Sequence, residues 1–145
     1  MYGSILCLVE DIEGLCGSEK EAVMYSRLTG LRLVLLYVIE KVAESEMVAT
    51  DSAGWQAVYD DWKREATALL DRKEDLIRVE GPISIKQEIR GGNNAYEIIS
   101  IATEQEVSMI VLPRSKAWIM GGLFSSHLAN KLLQFSPCPV LWVND

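Results

Sequence analysis

The sequence predicts an α/β domain, an open five-stranded parallel sheet with helices on both faces. Three observations carry that reading. Apolar runs of strand length alternate with segments of helical spacing, five of the former and four of the latter. Two of the runs, Ile5 to Val9 and Leu31 to Ile39, are apolar almost throughout, as strands covered on both faces are. Turn or capping residues punctuate the joins. With 145 residues, 49% of them hydrophobic, the chain is long enough for a real core and reads as one domain over 1–145.

The elements follow in order. Ile5 to Val9 ends in Glu10 and Asp11, so the first strand meets solvent at its carboxyl end. Ser18-Glu19-Lys20-Glu21 has capping-box spacing, and Ala22, Tyr25 and Leu28 or Thr29 continue a helix at helical intervals to Gly30. Leu31 to Ile39, interrupted at Arg32, is the second strand. From Asp51 or Ser52, Trp55, Val58 or Tyr59, Trp62, Ala66, Leu69, Leu70 and Leu76 recur at threes and fours, giving one long amphipathic helix to about Val79. Gly81-Pro82 stops it, and Ile83, Ile85 and Ile89 mark a third, more exposed strand. Gly91-Gly92-Asn93-Asn94 reads as a turn into a helix carrying Ala95, Ile98, Ile99 and Ala102. Met109 to Leu112 is the fourth strand, Ser125 or Ser126 opens a helix with Leu128, Leu132 and Leu133 on its apolar face, and Val140 to Val143 is the fifth strand. Lys41 to Thr50 is the connection expected to be most mobile.

In open parallel sheets, ligands lie beyond the carboxyl ends of the strands, where strand order reverses. That rule points to Glu10-Asp11, to Tyr37 through Glu40 and to the loop after Leu112. A net charge of -7 disfavours nucleic acid and anionic lipid, whose sequence-independent capture rests on many cations, and leaves small molecules and proteins as partners. The longest apolar stretch, Leu33 to Ile39, has seven residues, far below the roughly 20 that span a bilayer. The opening MYGSILCLVE carries no basic region or cleavage site, so a cytoplasmic location without membrane insertion is expected. Cys7, Cys16 and Cys138 lack CxxC spacing, and with one histidine they form no metal cluster; Cys7 and Cys138 read as small buried hydrophobes.

Glu10 and Asp11 have the chemistry of a metal-binding or acid/base pair, but adjacent acids at an emerging strand end are more simply polar residues meeting water. Trp55, Tyr59 and Trp62 form an aromatic stripe, read as packed on the sheet in preference to stacking on a ligand. His127 has no nucleophile signature beside it and reads as a helix-start residue without chemistry. Arg114, Lys116 and the start of the last helix have the charge to attract an anion, against the plainer reading of a solvated loop.

These elements in this order resemble a universal stress protein domain over nearly the whole chain, with an adenine-nucleotide α-hydrolase-like, Rossmann-like fold. The resemblance rests on the first strand ending in Glu10, on GNNAYEII from Gly92 to Ile99, on MIVLP and on LLQFSPCPVLWV. Gly92 and Ala95 match the family's Gly-x-Pro-Ala, and Pro137-Cys138-Pro139-Val140 matches its Pro-Cys-Pro-Val-x-Val ending. ATP-binding members share a Gly-x2-Gly-x9-Gly-Ser/Thr pattern. Aligned from Pro-Cys-Pro, its four positions fall on Pro113, Lys116, Ser126 and His127, and none is retained. Pro113 has no N–H to offer a phosphate, the Cβ of Lys116 disfavours left-handed backbone, Ser126 cannot approach a phosphate as closely as glycine, and Gly121 and Gly122 stand too early. Glu10 also replaces the family's usual aspartate.

The resemblance therefore implies a non-catalytic, dimeric stress-response module with no cofactor and no ATP binding. The alternative it implies is an ATP- or AMP-binding regulator with a remodelled loop, in which Arg114, Lys116, Ser125 and Ser126 hold phosphates. A homodimer is expected to pair Val140, Leu141, Trp142 and Val143 across a twofold axis, because an apolar last strand at a sheet edge leaves unpaired N–H and C=O groups. An unknown protein partner completes the expectation. A nucleotide hydrolase or transferase of the wider fold ranks last, since VEDIEGLCGSE has no glycine-rich phosphate loop.

Overall fold

The strand β1 (Ser4–Leu8) is buried at all five positions, because it is paired on both edges and covered on both faces. Its partners are β2 (Arg32–Glu40) on one side and β4 (Met109–Pro113) on the other, both parallel to it. β3 (Ile85–Gly92) extends the sheet beyond β2 and β5 (Val140–Val143) extends it beyond β4, again in parallel. The order is β3-β2-β1-β4-β5, so strand order reverses between β1 and β4. The computed structural model describes residues 3–40, 52–114 and 123–144, with side chains omitted at 52, 53, 55 and 123–127. The Lys41 to Thr50 connection lies outside these residues.

Four helices cover the sheet among the described residues: α1 (Gly17–Thr29), α2 (Ser52–Arg78), α3 (Asn94–Glu104) and α4 (Leu123–Phe135). Alternation along the strands divides the core in two. Ile5, Cys7, Leu33, Leu35 and Val111 pack with Ala22 of α1 and Leu69, Leu70 and Ile77 of α2. Leu6, Val34, Leu36, Ile110 and Leu112 pack with Ile98 and Ile101 of α3 and Leu128 and Leu132 of α4. The expected parallel sheet with helices on both faces is the fold observed.

Helix boundaries show where local spacing misled. α1 begins one residue before Ser18: its N-cap is Cys16, and Glu19, in the N3 position, accepts from the Cys16 N–H, so the capping box stands two residues earlier than the Ser18-Glu21 spacing suggests. Its buried face is Ser18, Glu19, Ala22 and Ser26, whereas Leu28 is 76% exposed. Gly30 closes it in the left-handed region at φ 73°. Arg27, in the last turn, then caps a different helix: its guanidinium donates to the carbonyl oxygens of Ile77, Gly81 and Pro82 at 3.1, 3.2 and 3.1 Å, satisfying the carboxyl end of α2. In α2 the buried stripe runs through Lys73 and Ile77, and Leu76 is exposed. In α4, Leu133 is 85% exposed, and the helix begins at Leu123, placing Ser125 and Ser126 inside its first turn where a cap was expected.

Gly91 and Gly92 belong to β3, paired with Ile39 and Glu40, and do not form the expected turn. The reason for Gly91 is tertiary. A Cβ there would lie 2.8 Å from the Tyr59 hydroxyl and 2.9 Å from its ring, so the glycine admits α2 against the edge strand. Asn93 then caps α3, its side-chain oxygen accepting from the Tyr96 N–H at 3.2 Å.

Gly91→Ala is expected to lower stability by about 1–3 kcal/mol through overpacking against Tyr59. Denaturant titration measures this, and in a Tyr59→Ala background the added penalty should largely vanish.

Candidate functional site

At the carboxyl end of β1 the backbone changes partners. The Val9 N–H still donates to Leu36 of β2 at 2.8 Å, but the Glu10 N–H donates to the Glu19 carboxylate at 3.1 Å. The other Glu19 oxygen accepts from the Cys16 N–H at 3.1 Å and from the Lys73 ammonium at 2.9 Å, and Lys73 also donates to the Gly14 carbonyl at 2.8 Å. Both side chains are only 1% exposed. One buried ion pair thus answers three backbone groups in the loop between β1 and α1 and ties that loop to α2. A carboxylate and an ammonium removed from water are tolerable only when paired and hydrogen-bonded in this way.

Beside this loop lies a cleft of about 980 Å³. β1 and its loop supply Leu8 through Ile12, β2 supplies Tyr37 through Glu40, and α2 supplies Trp62, Glu65, Ala66, Ala68, Leu69 and Arg72, with Asn94 at the start of α3. The Asn94 amide donates to Glu40 at 2.6 Å, linking the rims. Among the described residues that line it are four carboxylates, on Glu10, Asp11, Glu40 and Glu65, and one guanidinium, on Arg72, which is itself paired with Glu13 at 3.2 Å. Burial, then the negative charge of Asp11 and Glu65, raises the Tyr37 phenol above its ordinary range. Beneath the loop, burial above all, with Glu19 and Cys16 adding to it, holds the Cys7 thiol well above its ordinary range, so Cys7 is an inert core residue. Cys16 is also buried and Cys138 half-buried, and all three are free thiols.

The strand-end rule located this cleft: Glu10-Asp11 and Tyr37 through Glu40 line it. The other expected site residues fare differently. Pro113 is buried in β4 opposite Val143, and Arg114 is exposed with its N–H donated to the Val143 carbonyl at 2.8 Å; neither lines the cleft. Lys116, Gly121 and Gly122 lie outside the described residues. Ser125, Ser126 and His127 stand on α4, with side chains outside the description. Of the aromatic stripe, Tyr59 packs on the sheet against Gly91 of β3 as expected, whereas Trp62 is half-buried and lines the cleft. Glu65, Arg72 and the Glu19–Lys73 pair were not anticipated. The spacing of Trp62, Glu65, Ala66, Leu69, Arg72 and Lys73 held a signal for the helix face, since these positions recur at threes and fours. Among the described residues no group of three or more His, Cys, Asp or Glu side chains is placed to hold a metal ion.

A family model described as the Universal stress protein family matches residues 1–144. A comparison with curated proteins finds no match. Among solved structures, a protein from the universal stress protein family of Burkholderia pseudomallei is similar at 19% identity and a TM-score of 0.70, over 98% of this chain and 96% of that one. The universal stress protein of Archaeoglobus fulgidus, described in complex with dAMP, is similar at 18% identity and a TM-score of 0.64, over 97% of each chain. A family protein from Arabidopsis thaliana, described with AMP bound, is similar at 12% identity and a TM-score of 0.59, over 98% of this chain and 91% of that one. At such identities the likeness carries the fold.

The Tyr37 shift sets an alkaline dependence. Its folded pKa is raised, so the native state keeps the proton longer; stability is unaffected below the unfolded value of about 10 and falls as pH rises through it toward the folded value. Cys7, raised likewise, adds a loss of the same sign that begins near the ordinary thiol range. Denaturant titrations across alkaline pH should show a shallower loss for Tyr37→Phe than for wild type, with the Cys7 component remaining.

Proposed function

This chain belongs to the universal stress protein family, and from that premise we propose that it is a non-catalytic regulatory module of the stress response, a cytoplasmic homodimer that works without ATP. The charge of the cleft carries the reading. A polyphosphate there meets Glu10, Asp11, Glu40 and Glu65, with Arg72 already engaged by Glu13. Each close like-charge pair costs about 1 kcal/mol even at water's dielectric constant and more in a partly enclosed cleft. Pro113, held in the β4–β5 ladder, has no N–H to offset that repulsion. Among the described residues no helix is long and apolar enough to cross a membrane.

The second reading is an adenine-nucleotide-binding regulator, for ATP or AMP, with a remodelled site. It is favoured by the position of the cleft beyond β1 and β2, together with relatives described as binding dAMP and AMP. On this reading the nucleoside enters against Tyr37 and Trp62, and the phosphates turn outward toward Arg114 and the start of α4.

The dimer surface is β5. It is an edge of the sheet, its four residues are half-buried, and Trp142 packs on the core formed with α3 and α4 while remaining partly exposed. An antiparallel copy across a twofold axis sets the two apolar β5 strands side by side and completes the burial of that ring.

Calorimetry with ATP and magnesium should find no binding tighter than the low micromolar range, which corresponds to about -8 kcal/mol. Tighter binding, lost in the Arg114→Ala/Lys116→Ala variant, establishes the second reading. Light scattering at tens of micromolar should give a dimer for wild type and a monomer for Trp142→Arg, since a buried interfacial tryptophan contributes on the order of 2 kcal/mol or more. A dimer in both places the interface on another surface.

A further inference from the structure

The Glu19–Lys73 pair has features that core packing alone does not account for. Buried ion pairs are often no better for stability than apolar residues of the same volume, so their presence asks for a second role. Here the pair does what apolar side chains cannot: it satisfies the Glu10 N–H, the Cys16 N–H and the Gly14 carbonyl, which span the loop between β1 and α1. Lys73 directly follows Arg72 and stands one turn beyond Leu69, both of which line the cleft, so fixing its ammonium fixes the helix face that forms one wall. Glu10 and Asp11, on the other wall, belong to the loop held at the opposite end of the pair.

The location of Glu19 adds a chemical consequence. Its carboxylate occupies the first turn of α1, where free N–H groups and the helix dipole favour negative charge, and Lys73 neutralises it.

We propose that Glu19 and Lys73 are the positioning residues of the cleft, holding Glu10 and Asp11 at a fixed distance from Tyr37, Trp62 and Glu65 so that the site is formed before any ligand arrives. The inference rests on the second reading, in which this cleft takes a nucleoside, and a pre-formed wall spares such a ligand the cost of ordering the loop.

Amide hydrogen exchange on the full chain tests it without a ligand. In Glu19→Met/Lys73→Met, which replaces both charges by side chains of similar volume, exchange at Glu10 and Cys16 should quicken by about tenfold or more while Leu35 and Val111, in the sheet centre, change by less than about threefold. Unchanged protection at Glu10 and Cys16, or equal loss at all four amides, overturns the proposal, because the pair is then either dispensable to the loop or simply part of the core. Should the double variant fail to fold, Glu19→Gln keeps the shape but replaces one acceptor oxygen by a donor. It must free one of the two loop amides selectively, and freeing neither overturns the proposal. Adenosine serves as the ligand probe: a loss of affinity of about tenfold in the variant that folds supports positioning, and equal affinity in wild type and variant counts against it. No adenosine binding to wild type counts against the cleft as a nucleoside site, while the exchange result still decides the role of the pair.

Discussion

Glu19 and Lys73 meet at 2.9 Å with almost no access to water, and the local architecture is arranged to make that tolerable. Removing either partner alone would leave an uncompensated buried charge, a situation that costs about 3–5 kcal/mol. The pair is stable because the loop between β1 and α1 surrounds it with backbone donors and an acceptor, and the loop is ordered because the pair is there. α1 is positioned by its carboxylate, α2 by its ammonium, and β1 by the N–H released at Glu10. Arg27 repeats the logic at the other end of α1, binding it to the Ile77 carbonyl in the last turn of α2 and to the Gly81 carbonyl just beyond.

The cleft inherits its character from this arrangement. β1 and β2 end in acids at Glu10, Asp11 and Glu40, as buried strands do where they emerge, and α2 adds Glu65 across the gap. Burial, with the charges of Asp11 and Glu65 adding to it, holds the Tyr37 phenol neutral to higher pH. The fold puts a site where parallel sheets put one; the side chains decide what enters it.

The two sheet edges are treated differently. β3 is guarded by charge: Glu88 accepts from Gln105 and pairs with Lys86 and Arg90, and Arg90 reaches Glu104 of α3, while Gln87 reaches Asp71 and Glu74 of α2. β5 has no charged residue along its length. An edge ringed with ion pairs resists association, and an apolar edge invites it.

The sequence by itself determined the fold class, the five strands and four helices of the described residues and the position of the cleft, because hydrophobic period and strand-end acidity are properties of neighbours along the chain. It also carried the family, through Pro137-Cys138-Pro139-Val140 and the pair Gly92 and Ala95. What it could not specify were facts set by residues distant in sequence. Gly91 looks like a turn residue until Tyr59, from α2, is seen to occupy the space of its Cβ. Lys73 looks like a solvated helix residue until Glu19 and Gly14, more than fifty positions away, are found around it. Ser18 has the spacing of a cap, yet Cys16 takes that place, its N–H answered by the Glu19 carboxylate that is buried against Lys73. Periodicity states which face of an element is buried, but the partner that makes a buried charge or a bare backbone favourable is chosen only when the elements meet.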